Sequence, residues 1–420
     1  AVIMISTFSY VQTADASVPT GFTKSPVLSG LSQPVDIEFM PDGRALIAQR
    51  FGSIVISDLT AANPTKSTVL NISDTLTGGE RGLLGITADP DYDNNGFIYA
   101  YYTNQTSNRA RVSRFTVVNG QASVGSELLI WEDTVDAVND YHWGGGMDFG
   151  PDGRLYLTIG DKWDQPLDSQ DLSKSAGKIL RMNPDATPPT DNPFYGQVDV
   201  IDEIWALGLR NPFRSSWDIA SGRYFIGEVG GNRNNDPNIS YEDVHLGVAG
   251  ANYGWPYCEG PDLVDRDACN PPESRPLNYE APIFSYDHGG ESKAIIGGEV
   301  YNGLQFPASY QDSYFYGDFV EGTISYLGFD VAGDVTGSTV LDSDAEKIVD
   351  LAVGPDGSVY YSSLSPGVVY RISNDNAPTI TSVSGTPTTG SAPLIVTFSG
   401  SANSNSGQPL TYSWDFGDGN

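Results

Sequence analysis

Residues 147–161 read Met147-Asp148-Phe149-Gly150-Pro151-Asp152-Gly153-Arg154-Leu155-Tyr156-Leu157-Thr158-Ile159-Gly160-Asp161. Met147 and Phe149 alternate with polar residues up to Pro151-Asp152-Gly153, and Leu155, Leu157 and Ile159 alternate beyond it. A Pro-Asp-Gly turn between two alternating apolar runs predicts a β-hairpin. The second strand would carry Asp161 out at its far end.

The signature recurs along the chain. It returns as Asp36 to Ala48 around Pro41-Asp42-Gly43, and as Val353 to Tyr360 around Pro355-Asp356-Gly357. Looser versions are Asp89 to Tyr102, Trp217 to Ile226 and Tyr310 to Leu327. Six units at irregular spacings of roughly 45–90 residues fit blades carrying inserted loops. The predicted fold is all-β, a six-bladed β-propeller over residues 18–373. A pair of β-sandwiches is the alternative, but it would not repeat one turn signature six times.

Composition agrees. Gly 47, Pro 27 and Tyr 23, with many short Thr, Val and Ile runs, read as strands and turns rather than helices. Lys+Arg 22 against Asp+Glu 53 gives a net charge of −31, which repels nucleic acid and anionic membranes. Much of that acid lies in turns such as Asp89 to Gly96. Asp91, Asp93, Asn95 and Gly96 imitate the start of a calcium loop, but the twelfth position is Tyr102 rather than Glu, so a hairpin turn is expected there.

Residues 1–11 are apolar and too short to span a bilayer, and Ala14-Asp15-Ala16 follows. Residues 1–17 therefore read as the back half of a secretion signal, or alternatively as a first strand. Either way no membrane span is expected, and the location is secreted, periplasmic or cell-surface. The only cysteines, Cys258 and Cys269, flank one polar loop, which favours a local disulfide in an exported protein over a zinc site.

Immediately before the opening hairpin stands His142, one of 3 histidines, beside Gly144, Gly145 and Gly146. The glycines let a ligand or a neighbouring backbone come close. A titratable ring and the Asp161 carboxylate at the same mouth of a rigid sheet are what general-base chemistry needs. The ring could equally be a loop histidine that only satisfies backbone groups.

Several segments, taken in order, resemble the glucose/sorbosone dehydrogenase family, soluble six-bladed quinoproteins that oxidise sugars with pyrroloquinoline quinone (PQQ) and calcium. They are Glu80 to Gly85, His142 to Asp161, Gly208-Leu209-Arg210-Asn211-Pro212, Gly230-Gly231, Glu242-Asp243, Asn252 to Pro256 and Gly297 to Tyr301. The resemblance implies that His142 is the general base and that Asp161, Glu80, Arg210 and Asn211 line its cavity. It implies that the backbone carbonyls of Gly230 and Gly231 help hold calcium, and that an external acceptor takes the electrons. Two departures concern the PQQ carboxylates, which family members usually meet with a Lys and two Arg in the last two blades. Here Gly317 to Gly322 holds no cation, with Val320 in its middle, and Glu346 to Asp350 offers only Lys347, with Val349 beside it. In addition, Trp143 replaces the usual Asn after the histidine. A propeller that has lost PQQ, and binds or non-oxidatively processes an extracellular carbohydrate, is the second reading.

After Ile372 the composition shifts, and Asn374 to Pro378 reads as a linker. Residues 377–420 end in Trp414-Asp415-Phe416-Gly417-Asp418-Gly419 and resemble the first half of a PKD domain, a small extracellular β-sandwich. This partial PKD-like segment is expected to serve as a surface or polysaccharide tether.

Overall fold

The structure, a computed structural model, describes residues 17–163, 165–231, 240–261, 275–390, 394–404 and 410. Six antiparallel sheets, five of four strands and one with a short fifth strand off its edge, follow one another around a closed ring. Their first strands are Pro34–Phe39, Leu83–Ala88, Met147–Phe149, Pro212–Asp218, Ile295–Val300 and Ile348–Val353. Each of these packs against the first strands of the blades on either side, so the six line the axis. The β-propeller expected from the repeated turn is the observed fold.

The opening hairpin forms as read, with Met147 opposite Leu157 and Phe149 opposite Leu155. Its second strand, Leu155–Ile159, is buried at every position. A blade is covered on both faces by its neighbours, so alternation in sequence is not matched by alternation in exposure. Five of the six recurring units join the first and second strands of a blade. The fifth, Tyr310 to Leu327, sits one strand later, because Ile295–Val300 reaches Tyr314–Asp318 through a longer loop and the tight turn follows at Phe319 to Gly322. The Asp91 stretch is a hairpin turn. Asp89 accepts from the Asp91 amide at 3.0 Å, Asn95 Nδ2 at 2.8 Å and the Tyr99 hydroxyl at 2.8 Å, leaving it committed to the turn.

The last blade is closed from both ends of the propeller. Its outer strand, Phe22–Leu28, pairs with Val368–Asn374, Phe22 lying opposite Asn374. Along the axis, carboxylates tie adjacent blades. The Ile37 amide donates to Asp350 at 2.7 Å, that of Ile86 to Asp36 at 2.6 Å, that of Trp217 to Asp148 at 2.9 Å and that of Val353 to Glu299 at 2.7 Å. Innermost strands expose one hydrogen-bonding edge to the channel, and these side chains satisfy it. Arg214 balances part of the charge, its Nε 3.3 Å from Asp350.

Beyond Asn374 the chain forms a two-stranded ribbon, Thr379–Thr386 with Thr397–Asn403. The Trp414 to Gly419 motif, the 1–16 stretch and Cys269 lie outside the described residues. Cys258 itself is buried.

Candidate functional site

In each blade the first strand starts, and the second ends, on the same face of the ring. That topology brings together His142, which precedes Met147–Phe149, and Asp161, which follows Leu155–Ile159. Glu80 precedes the first strand of blade two, and Arg210 and Asn211 precede that of blade four. The glycines after His142 serve backbone packing: a Cβ on Gly144 would collide with the Thr158 carbonyl, and one on Gly146 with Ser215.

His142 is buried, with its Nδ1 2.6 Å from Asp161 Oδ1. Its backbone amide donates to Glu80 Oε2 at 2.7 Å. Nε2 makes no hydrogen bond to a described residue and is not sealed from solvent. With the Nδ1 proton held by the carboxylate, Nε2 is the accepting nitrogen of the neutral ring. Asp161 is fixed in turn. Its Oδ2 accepts from Trp255 Nε1 at 2.8 Å, its Oδ1 from the Trp163 amide at 2.9 Å, and its own amide donates to the Arg210 carbonyl at 2.6 Å.

Arg210 is buried, donates through Nη1 to the Val229 carbonyl at 2.9 Å and lies over the Trp255 ring at 5.6 Å. Burial lowers its pKa, while Asp161, Glu242, Glu228 and Glu80 oppose that by favouring the cation. Asn211 takes a positioning place, its Oδ1 accepting from the Gly144 amide at 3.1 Å. Glu80, His142, Asp161, Arg210 and Asn211 therefore gather into one region.

Lys347 precedes the first strand of blade six, on the same face of the ring, and makes no hydrogen bond or ion pair to these five. It is exposed on blade six, with Nζ 4.6 Å from the Phe319 ring centroid. Val320 is half-exposed and Val349 buried, and as valines neither carries charge. The amides of Gly230 and Gly231 donate to Glu242 and Glu259, respectively. Their carbonyls, the atoms expected at calcium, make no hydrogen bond to a described residue. No group of three acidic, His or Cys side chains able to hold a metal occurs among the described residues, and the 232–239 stretch next to Gly231 lies outside them.

Sequence reasoning missed the supporting partners. Trp255 clamps Asp161 from 94 positions away. The remaining histidines also face carboxylates, His245 at 2.7 Å from Glu228 and His288 at 2.7 Å from Glu242. Burial holds the Glu242 carboxyl above its ordinary range, and His288 partly offsets it. These pairs leave no local signal in the chain, since His245 lies 17 positions from Glu228 and His288 46 from Glu242.

The glucose/sorbosone dehydrogenase profile matches residues 31–371. An uncharacterised protein of Synechocystis sp. is 28% identical over 352 residues, covering 80% of this chain and 82% of that protein. The aldose sugar dehydrogenase of Escherichia coli is 24% identical over 365 residues, covering 82% and 91%. Among solved structures, a Thermus oxidoreductase described as a glucose dehydrogenase superimposes with a TM-score of 0.70 at 26% identity, over 84% of this chain and all of that one. Human Hedgehog-interacting protein is 31% identical over 221 residues, 46% of this chain and 31% of its own length.

Proposed function

The chain belongs to the glucose/sorbosone dehydrogenase family, and on that premise we propose that it is an exported enzyme that oxidises a sugar hydroxyl, with His142 as the general base. The observation that carries this reading is the 2.6 Å contact of His142 Nδ1 with Asp161, which leaves Nε2 open. Nε2 takes the hydroxyl proton. Asp161 holds the ring in that tautomer and stabilises the imidazolium that forms. Arg210, buried beside the Asp161 carboxylate, is placed to donate to the substrate oxygen. Asn211, Glu80 and Trp255 position the pair.

PQQ with calcium, when bound, would supply the two-electron acceptor for the sugar oxidation, with an external acceptor as the final electron sink. The donor set fits that group in part. Arg210 provides a buried guanidinium and Gly230 and Gly231 provide two carbonyl oxygens, while Val320 and Val349 provide no cation. Lys347 is the remaining basic candidate at the rim. No described helix is long and apolar enough to cross a membrane, and the tail from residue 377 is proposed as a PKD-like tether to a surface or polysaccharide.

The neutral pair at Val320 and Val349 favours a second reading, a propeller that binds an extracellular carbohydrate without redox chemistry. His142→Ala separates the two. On the first reading the variant folds, keeps bound calcium and loses sugar-dependent dye reduction by about 10²-fold or more. Absence of dye reduction by the wild-type protein in PQQ and calcium would leave the second.

A further inference from the structure

Three residues around the site, His142 and the adjacent pair Lys162 and Trp163, occupy the left-handed backbone region. His142 has φ 60°, Lys162 φ 59° and Trp163 φ 77°. For a bulky residue such as tryptophan this conformation is costly, and such strain persists where the surroundings over-determine it. The surroundings here do so. The Lys162 amide donates to the His142 carbonyl at 3.2 Å, and its carbonyl accepts from Asn139 Nδ2 at 3.1 Å. Lys162 Nζ is anchored on buried Asp133, and Ser175 Oγ donates to the same carboxylate at 2.8 Å. The Trp163 amide is spent on Asp161. These bonds fix the backbone of Lys162 and Trp163, while the indole itself stays out of the core.

Trp163 is 54% exposed and Tyr141 48% exposed. Their ring centroids are 5.5 Å apart with planes at 48°, and the indole meets the His142 ring edge-on at 4.8 Å. Two large exposed aromatics, one held in a costly conformation, thus stand beside the His142 ring, the indole in contact with it and Tyr141 in contact with the indole. Aromatic faces give large apolar contact at fixed geometry, and a pyranose ring presents a flat C–H face that matches them.

We infer that Tyr141 and Trp163 form a stacking platform for a pyranose ring, holding it so that one of its hydroxyls meets Nε2 of His142. The inference rests on the proposed sugar site and assigns its binding half. The test is calorimetric titration of the whole protein with D-glucose, D-xylose and maltose, alongside thermal unfolding and PQQ-dependent turnover. Tyr141→Ala and Trp163→Ala should each weaken sugar binding about five- to tenfold, and Trp163→Phe should keep most of it. Trp163→Gly should weaken binding equally and leave Tm unchanged or higher, because glycine adopts positive φ without strain. A purely structural tryptophan would instead lower Tm in both Trp163→Gly and Trp163→Ala. Unchanged sugar affinity in the Tyr141 and Trp163 variants, or no saturable binding of any of the three sugars by the wild type, would overturn the platform. Failure of the dehydrogenase reading looks different: wild-type protein binds sugar through the platform but His142→Ala does not alter turnover, or no turnover exists to alter.

Discussion

The site is assembled from single residues that hold one another. Asp161 alone accepts from His142, Trp163 and Trp255, so its geometry is set on three sides. Around Arg210 the balance is one guanidinium against the carboxylates of Asp161, Glu242, Glu228 and Glu80. That surplus suits a neutral polyol and opposes a tricarboxylate unless cations come from elsewhere. Val320, 46% exposed at the end of its blade, is the place to add one without burying a charge, whereas Val349 at 4% exposure is not. Val320→Lys should tighten PQQ binding about two- to fivefold in calcium buffer, the scale of a partly exposed ion pair. Titration calorimetry checks this, and unchanged affinity would place the cofactor's carboxylates away from blade five. His142 and Asp161 were legible because each sits beside a turn whose chemistry is local. Trp255 was not, since nothing in its own neighbourhood reports an indole donating across two blades.

At the level of elements, the repeated Pro-Asp-Gly turn was the readable signal, because a turn is specified by a few adjacent residues. The fifth blade escaped by one strand because its first connection carries no such turn. The axial carboxylates were also invisible, since their partners are amides on another blade. They have a pH consequence. Burial first, then the charges of Asp148 and Asp218, push the Glu299 carboxyl up to about 7, and burial pushes Asp148 up to about 6. Unfolded, both would titrate at their ordinary values, 4.5 and 3.8. Between those limits the native state binds more protons than the unfolded chain, so stability falls as pH rises through the window. It is fully present below the unfolded values and lost above about 7. Thermal unfolding should therefore show Tm decreasing from pH 5 to pH 8. Glu299→Gln, which keeps an acceptor for the Val353 amide, should flatten that slope and raise Tm at pH 8. An unaltered slope would show that Glu299 stays ionised throughout. The loop after Trp255 yields a further check: Cys258 is proposed to bond Cys269, so thiol labelling of the native, unreduced protein should find neither reactive.

For the molecule as a whole, the decisive contact is between its ends. Six blades around an axis have no free edge toward one another, but the ring still needs its last sheet completed. Phe22–Leu28 does this by pairing with Val368–Asn374 and packing Phe22 against Phe306 at 4.7 Å. Without that strand, Val368–Asn374 becomes an open edge beside apolar Phe306 and Tyr310, a template for association with other chains. The ribbon beyond Asn374 cannot substitute. Among the described residues it has two strands, and such a pair is marginal by itself. Closure also sets cooperativity, because residues more than three hundred positions apart must meet before the ring is locked. Protein beginning at Ser29 should therefore unfold at lower temperature in a broader transition and associate at micromolar concentration. A synthetic peptide of residues 17–30 should restore the sharp transition by filling the vacant edge. Calorimetry with and without the peptide makes the measurement. A truncated protein as stable and monomeric as the intact one would mean that the six inner strands and their carboxylate ties close the ring unaided.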